Sequence, residues 1–216
     1  MTTALHDLQG ASVRGTPRSL SCLLAGAAFG AFDSVVNRVS SVTDPAAITT
    51  AQQVARFLSY LLDAGWAWAA LAVLAGWWAR TWLLGAAAGW VSVSGAVLAY
   101  YLTDAQVRGE SFSSYVGEVL LWLAACVLLC APLGLVGACA RRRDARGLVA
   151  GLVVPVGAAV QMVVLAPGLE GAIVYPQAVW ARWTVWVAAA VGVVLLLRRW
   201  SDRRSCGTSA DVGAPS

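Results

Sequence analysis

The chain has 216 residues, 59% of them hydrophobic and only 12% charged, and its mean hydropathy is +0.71. Soluble domains run about 45–50% apolar and about 25% charged, so this composition excludes a soluble globular protein. The net charge of +4 does not point to nucleic acid, because the basic residues gather at the ends of apolar runs, where membrane topology places them.

Residues 1–18 are polar and read as a disordered tail. A first apolar segment covers 19–39. Its core, Leu20 to Phe32, has the length of a signal-peptide core, but Val35, Val36 and Val39 carry the pattern past Asp33 and favour a retained span. Asp44-Pro45 has the form of a helix start, and Thr50 followed by Gln53 has the form of a second, capping-box start. A short amphipathic stretch is expected there, leading into a second span over 54–79. A third span, 81–103, follows after almost no loop. The polar stretch 104–115 precedes a fourth span, 116–140. The basic loop RRRDAR (141–146) leads to a fifth, 147–166. A loop with Pro167, Gly168, Gly171 and Pro176 leads to a sixth, 178–198, and the polar remainder, 199–216, reads as a second disordered tail.

The expected fold is therefore all-α, a polytopic transmembrane bundle over 19–198 with about six spans, each long enough for a ~30 Å hydrocarbon core. Six spans put both termini on one side. All fifteen basic residues are arginine; Arg38, Arg56, Arg108 and Arg182 fall on one face and the other eleven on the opposite face. The positive-inside rule then makes both termini cytoplasmic and the protein a multi-pass component of the cell membrane. The five cysteines show no CxxC spacing and read as small buried apolar residues.

The acidic residues sort unevenly in that topology. Asp33, Asp44, Asp63, Asp104, Glu110, Glu118 and Glu170 lie on or toward the outer side, and Asp33, Asp63 and Glu118 fall within expected helices. A charged group at a helix centre costs about 2.5–3.5 kcal/mol on insertion scales, so such acids face the bundle interior or a wet cavity. Helical spacing adds rings to the same faces: Tyr60, Asp63, Trp66, Ala67 and Ala70 form one stripe, Glu118, Trp122, Cys126 and Cys130 a second, and Tyr100 with Asp104 a third. Trp180, Trp183 and Trp186 recur every three residues on the last span. An outer-half cavity tipped with acids and walled with aromatics is expected. Plainer readings exist for each residue. Tryptophans form interfacial belts, Glu110, Asp44 and Asp104 suit loops or caps, and Asp33 suits pairing with Arg38 or Asn37. Arg56 and Arg182 suit neutralisation of Asp63 and Glu118.

Several chemistries are set aside on sequence grounds. The one histidine is His6, no lysine exists for a Schiff base, and no GxxxxGK[ST] phosphate loop or DDxxD-type aspartate motif occurs. Carboxyl groups beside rings suit proton transfer to a greasy substrate, with ring faces stabilising the cation that results. Size, span number and the stretch DAGWAWAALAVLAGWWAR, with the Ala-, Gly- and Arg-rich composition of a GC-rich actinobacterial chain, resemble the small integral membrane terpene cyclases of indole sesquiterpenoid pathways. That resemblance implies a reaction class: proton-initiated, metal-independent cyclisation of a prenylated lipophile, without a cofactor. The residues themselves nominate Asp63, Glu118 and Asp33 as acids, and Trp66, Trp122, Tyr60, Tyr100 and Trp183 as cation-stabilising rings. A proton-coupled transporter or channel and a non-catalytic scaffold packed through Gly26, Gly30, Gly85 and Gly89 fit the same composition. The expected partners are a lipophilic small molecule and membrane lipid.

Overall fold

The computed structural model of the chain describes residues 16–41, 49–79, 81–165 and 175–211, with side chains between 19 and 202 of those ranges. The described residues form seven helices and no strand. They are α1 (Thr16–Ser40), α2 (Thr50–Leu62), α3 (Gly65–Trp78), α4 (Trp82–Arg108), α5 (Phe112–Cys139), α6 (Ala145–Val164) and α7 (Pro176–Asp211). Five of them, α1, α4, α5, α6 and α7, are long and apolar enough to cross a membrane, and α2 with α3 makes a sixth crossing if the bent pair is one span. Leucines and valines such as Leu24, Leu74, Leu128 and Val164 are exposed around the outside, which suits a lipid-facing surface.

Close backbone contact at small residues holds the bundle together. A Cβ on Gly26 would meet the Ser92 carbonyl and one on Gly30 the Ala96 carbonyl, so α1 and α4 touch through their main chains and run parallel. Gly134 of α5 sits where three elements meet, against Gly76 of α3 and Gly85 and Gly89 of α4. Lipid gives no hydrophobic drive between helices, so this closeness matters for dispersion contact. The glycine spacings read from the sequence are thus the helix seams.

The second span departs from expectation. It is two helices bent by 62° at Asp63-Ala64, rather than one continuous helix over 54–79. Its capping box lies one residue earlier than Thr50 and Gln53: the Thr49 hydroxyl accepts the Gln52 N–H at 3.3 Å while Gln52 Oε1 accepts the Thr49 N–H at 2.8 Å. The third span extends to Arg108 and stops at Gly109, whose φ of 68° closes the helix. Asp104 is therefore a buried helical residue, not a loop residue, ion-paired to Arg108 at 2.9 Å one turn on. α5 begins with a 3₁₀ turn (Phe112–Tyr115) and widens to a π turn at Cys126–Cys130. α7 continues past Arg198 to Asp211, through a stretch without proline, where the sequence suggested a disordered tail from 199. Residues 1–15 and 212–216, Asp44-Pro45, and Pro167 to Gly171 with Glu170 lie outside the described residues.

Candidate functional site

The break in the second span positions the site. α2 ends at Leu62, and the Asp63 amide closes it by donating to the Ser59 carbonyl at 2.9 Å. α3 restarts at Gly65, and its second amide, that of Trp66, donates to Gln161 Oε1 at 2.8 Å. Free N–H groups at a helix start must find acceptors, and in a membrane interior water is not available to serve. Gln161, far away on α6, supplies one. The interruption is thus a hydrogen-bonded feature, with Asp63 exposed at its corner.

Asp63 opens on a cavity of about 340 Å³ enclosed by α3, α4 and α5. The rings of Trp68, Tyr100, Tyr101 and Trp122 line it, with Cys126 and Cys130 deeper along the same face of α5. Tyr100 and Tyr101 meet edge to face at 5.3 Å, and Trp68 meets Phe29 of α1 in the same way at 5.4 Å. Behind the rings lies an apolar floor of Ala72, Val93, Val97 and the two cysteines. Apart from the carboxyl, the two phenols and the thiols, the walls are hydrocarbon and ring.

Of the expected site residues, the fold brings Asp63, Tyr100 and Trp122 to this cavity. Asp33 is fully buried on α1, with neither carboxyl oxygen hydrogen-bonded among the described residues, and close enough to Asp63 and Tyr100 to interact electrostatically. The remaining candidates sit elsewhere. Trp66 turns to the other side of α3, where it packs on Ala64, Ala158, Met162 and Val185 and lines a second cavity of about 260 Å³. The 62° bend shifts the helical phase, so Trp68 takes the place expected of Trp66. The stripe from Tyr60 through Asp63 to Ala70 is cut at the same point, and Tyr60 stays on α2 away from the cavity lining. Glu118 is exposed in the first turns of α5, beside the Tyr101 hydroxyl but outside the lining. Trp183 is 58% exposed on α7 and stacks edge-on against Trp186, facing away from the site.

The arginines considered for neutralising these acids are engaged elsewhere. Arg56 lies over the Tyr175 ring at 4.4 Å and donates to the Ser40 carbonyl, and Arg182 lies over Trp186 at 5.1 Å. Among the described residues the ion pairs are Arg108–Asp104 and Arg142–Asp144, so Asp33, Asp63 and Glu118 have no cationic partner. Asn37, one turn beyond Asp33, links the helices instead. Its Oδ1 accepts from Ser59 Oγ at 2.6 Å and its Nδ2 donates to the Tyr100 hydroxyl at 3.3 Å. Asp33, Asn37, Tyr100 and Asp63 therefore gather at one end of the bundle. Arg141, Arg142 and Trp77 mark the opposite end, where Arg141 donates to the Trp77 carbonyl at 3.0 Å.

Trp68, Tyr101 and Gln161 were not singled out from the sequence. Tyr101 neighbours Tyr100 and Trp68 follows Trp66, so a one-residue change of phase would have found both; Gln161, a lone amide in an apolar run, was the visible signal on α6. No protein-family profile, no curated protein and no solved structure matches the chain.

Proposed function

We propose that the cavity binds a prenylated, membrane-soluble molecule and that Asp63 protonates it to start a cyclisation. The observation that carries this reading is the placement of a carboxyl with no cationic partner among the described residues on an otherwise apolar cavity walled by Trp68, Tyr100, Tyr101 and Trp122. A volume near 340 Å³ falls at the lower end of small-molecule sites, which span about 300–1,000 Å³.

In the proposed step the Asp63 carboxylic acid gives its proton to a terminal alkene, whose π pair forms the new C–H bond and leaves a tertiary cation. A second alkene attacks that cation and closes a ring. Loss of a neighbouring C–H proton, returned to the Asp63 carboxylate, restores an alkene and the acid. The product is an isomer of the substrate. Ring faces stabilise the travelling cation by about 2 kcal/mol or more each when desolvated, and exclusion of water protects it from capture. The arginine bias supports an outward-facing end of a cell-membrane protein for this cavity, reached by an apolar substrate from the bilayer.

The test is expression in a host supplied with farnesylated and geranylgeranylated indoles, followed by mass spectrometry. A new product of unchanged mass and altered retention, lost in Asp63→Asn with membrane expression intact, is the expected result. Full activity of that variant removes Asp63 from the chemistry.

The broken second span favours a second reading. Discontinuous helices hold coupling ions in several transporter folds, their ends serving as ligands. Proton uptake by vesicles containing the protein, abolished by Asp63→Asn in the absence of any prenylated compound, would favour transport over cyclisation.

A further inference from the structure

Asp33 plays no direct part in the cavity. It does not line it, its side chain has no access to solvent, and among the described residues neither of its oxygens has a hydrogen-bond donor. A buried carboxylate without partners is among the most expensive groups a protein can hold, because burial removes its hydration and gives nothing back. An asparagine or a leucine at this position would avoid the cost.

Its surroundings add negative character. Asp63 interacts with it from the break in the second span, and Tyr100 on α4 presents a hydroxyl to the same acids. α2 ends beside Asp63, and the negative end of a helix, with its last carbonyls lacking partners within the helix, lies there. The positive groups on the surrounding elements do not compensate. Arg38 on α1 is exposed, Arg56 on α2 is held over Tyr175, and Arg108 on α4 pairs with Asp104. Asn37 accepts from Ser59, and its amide group serves the Tyr100 hydroxyl and the Asp63 carboxyl, so it offers nothing to Asp33.

We infer that Asp33, with oxygen ligands from Asp63 and Tyr100, binds one small monovalent cation between α1, α4 and the break in the second span. Hard oxygen donors select a hard cation. One negative charge on Asp33 balances one positive charge, whereas a divalent ion on that carboxylate would bury a net charge. The site shares Asp63 and Tyr100 with the aromatic cavity, but cation binding at Asp33 does not depend on the reaction proposed there.

The experiment uses full-length protein purified in detergent, with thermal unfolding followed at pH 8 in choline chloride and in sodium, lithium, potassium and calcium chlorides at matched ionic strength. Sodium is expected to raise the unfolding midpoint saturably above choline, with calcium ineffective beyond ionic strength, and Asp33→Asn is expected to remove the difference. Coincident midpoints in all salts overturn the inference. So does an Asp33→Asn variant that keeps the sodium response, or a midpoint that moves with pH and not with sodium, since a proton alone would then be the occupant. If Asp33→Asn does not fold, equilibrium binding of radioactive sodium to the wild type decides: saturable binding near one ion per chain is expected, and none overturns the site.

Discussion

The side-chain oxygen of Gln161 accepts the backbone N–H of Trp66 at 2.8 Å, joining α6 to the start of α3 across 95 positions of the chain. The bond satisfies an amide that the break at Asp63-Ala64 sets free. It also fixes the direction in which α3 leaves that break, and so which face of α3 meets the aromatic cavity.

Gln161→Met keeps the length of the side chain and removes the acceptor. It is expected to cost about 1–3 kcal/mol, the range for leaving a buried donor unmatched. Unfolding of the purified protein in graded denaturing detergent measures this. A variant as stable as the wild type would show that the Trp66 amide finds another acceptor, and that Gln161 does not hold the break.

Gly134 offers the sharpest packing test. A Cβ there would collide with the Gly85 carbonyl on α4, and Gly76 and Gly89 approach it from two sides. Gly134→Ala should destabilise by about 1–3 kcal/mol, as overpacking in a rigid interior does. Gly117, with open space around it in the first turns of α5, is the control. Gly117→Ala should be neutral or gain up to about 1 kcal/mol by relief of helical glycine entropy. Equal effects of the two changes would sink the seam described at Gly134.

Asn37 joins Ser59 on α2 to Tyr100 on α4, so the two bonds should be energetically linked. Tyr100→Phe and Ser59→Ala, made singly and together, form a double-mutant cycle. The coupling energy should be about 0.5 kcal/mol or more, the lower end for residues in one hydrogen-bond network. Strict additivity would mean the link contributes nothing.

Asp144, in the loop before α6, gives a pH prediction. The Arg142 guanidinium at 2.8 Å and the Gly147 amide at 3.1 Å hold its carboxyl below the ordinary carboxylate range. A depressed native pKa contributes stability that is present above the unfolded value and lost as pH falls through the native one. Asp144→Asn should therefore be less stable than the wild type at neutral pH, and the two should converge below pH 3.8. A stability difference that stays constant from neutral pH into acid would contradict this account.

The helical, membrane-length character of the chain was legible because it depends on long apolar runs. The seams at Gly26, Gly30, Gly85 and Gly89 were legible because close helix approach needs small residues at fixed spacing. The line from Trp122 through Cys126 to Cys130 on one wall was also readable from spacing. What failed was phase. Asp63 to Ala70 reads as an unbroken apolar helix with one acid, and the partner that stabilises its interruption, Gln161, lies 95 positions from Trp66. Local pattern cannot register a hydrogen bond that distant, so Trp66 was chosen where Trp68 stands. Asp104 failed for a similar reason: its burial depends on α4 outrunning its apolar stretch, with Arg108 alongside.

The π turn at Cys126–Cys130 has a bearing on how α5 can serve two neighbours. Widening one turn accommodates an extra residue, and each residue advances an α-helix by about 100°. The half that carries Trp122 and the half that carries Gly134 and Gly137 are therefore set at independent angles, like two cams keyed separately to one shaft. Removing Leu128, an exposed residue of that turn, would restore a uniform pitch and turn one cam against the other. Either Trp122 would leave its wall or Gly134 would leave its meeting point. Evolution could thus alter the shape of the chamber by insertion or deletion at Leu128 alone, without touching any residue that faces it.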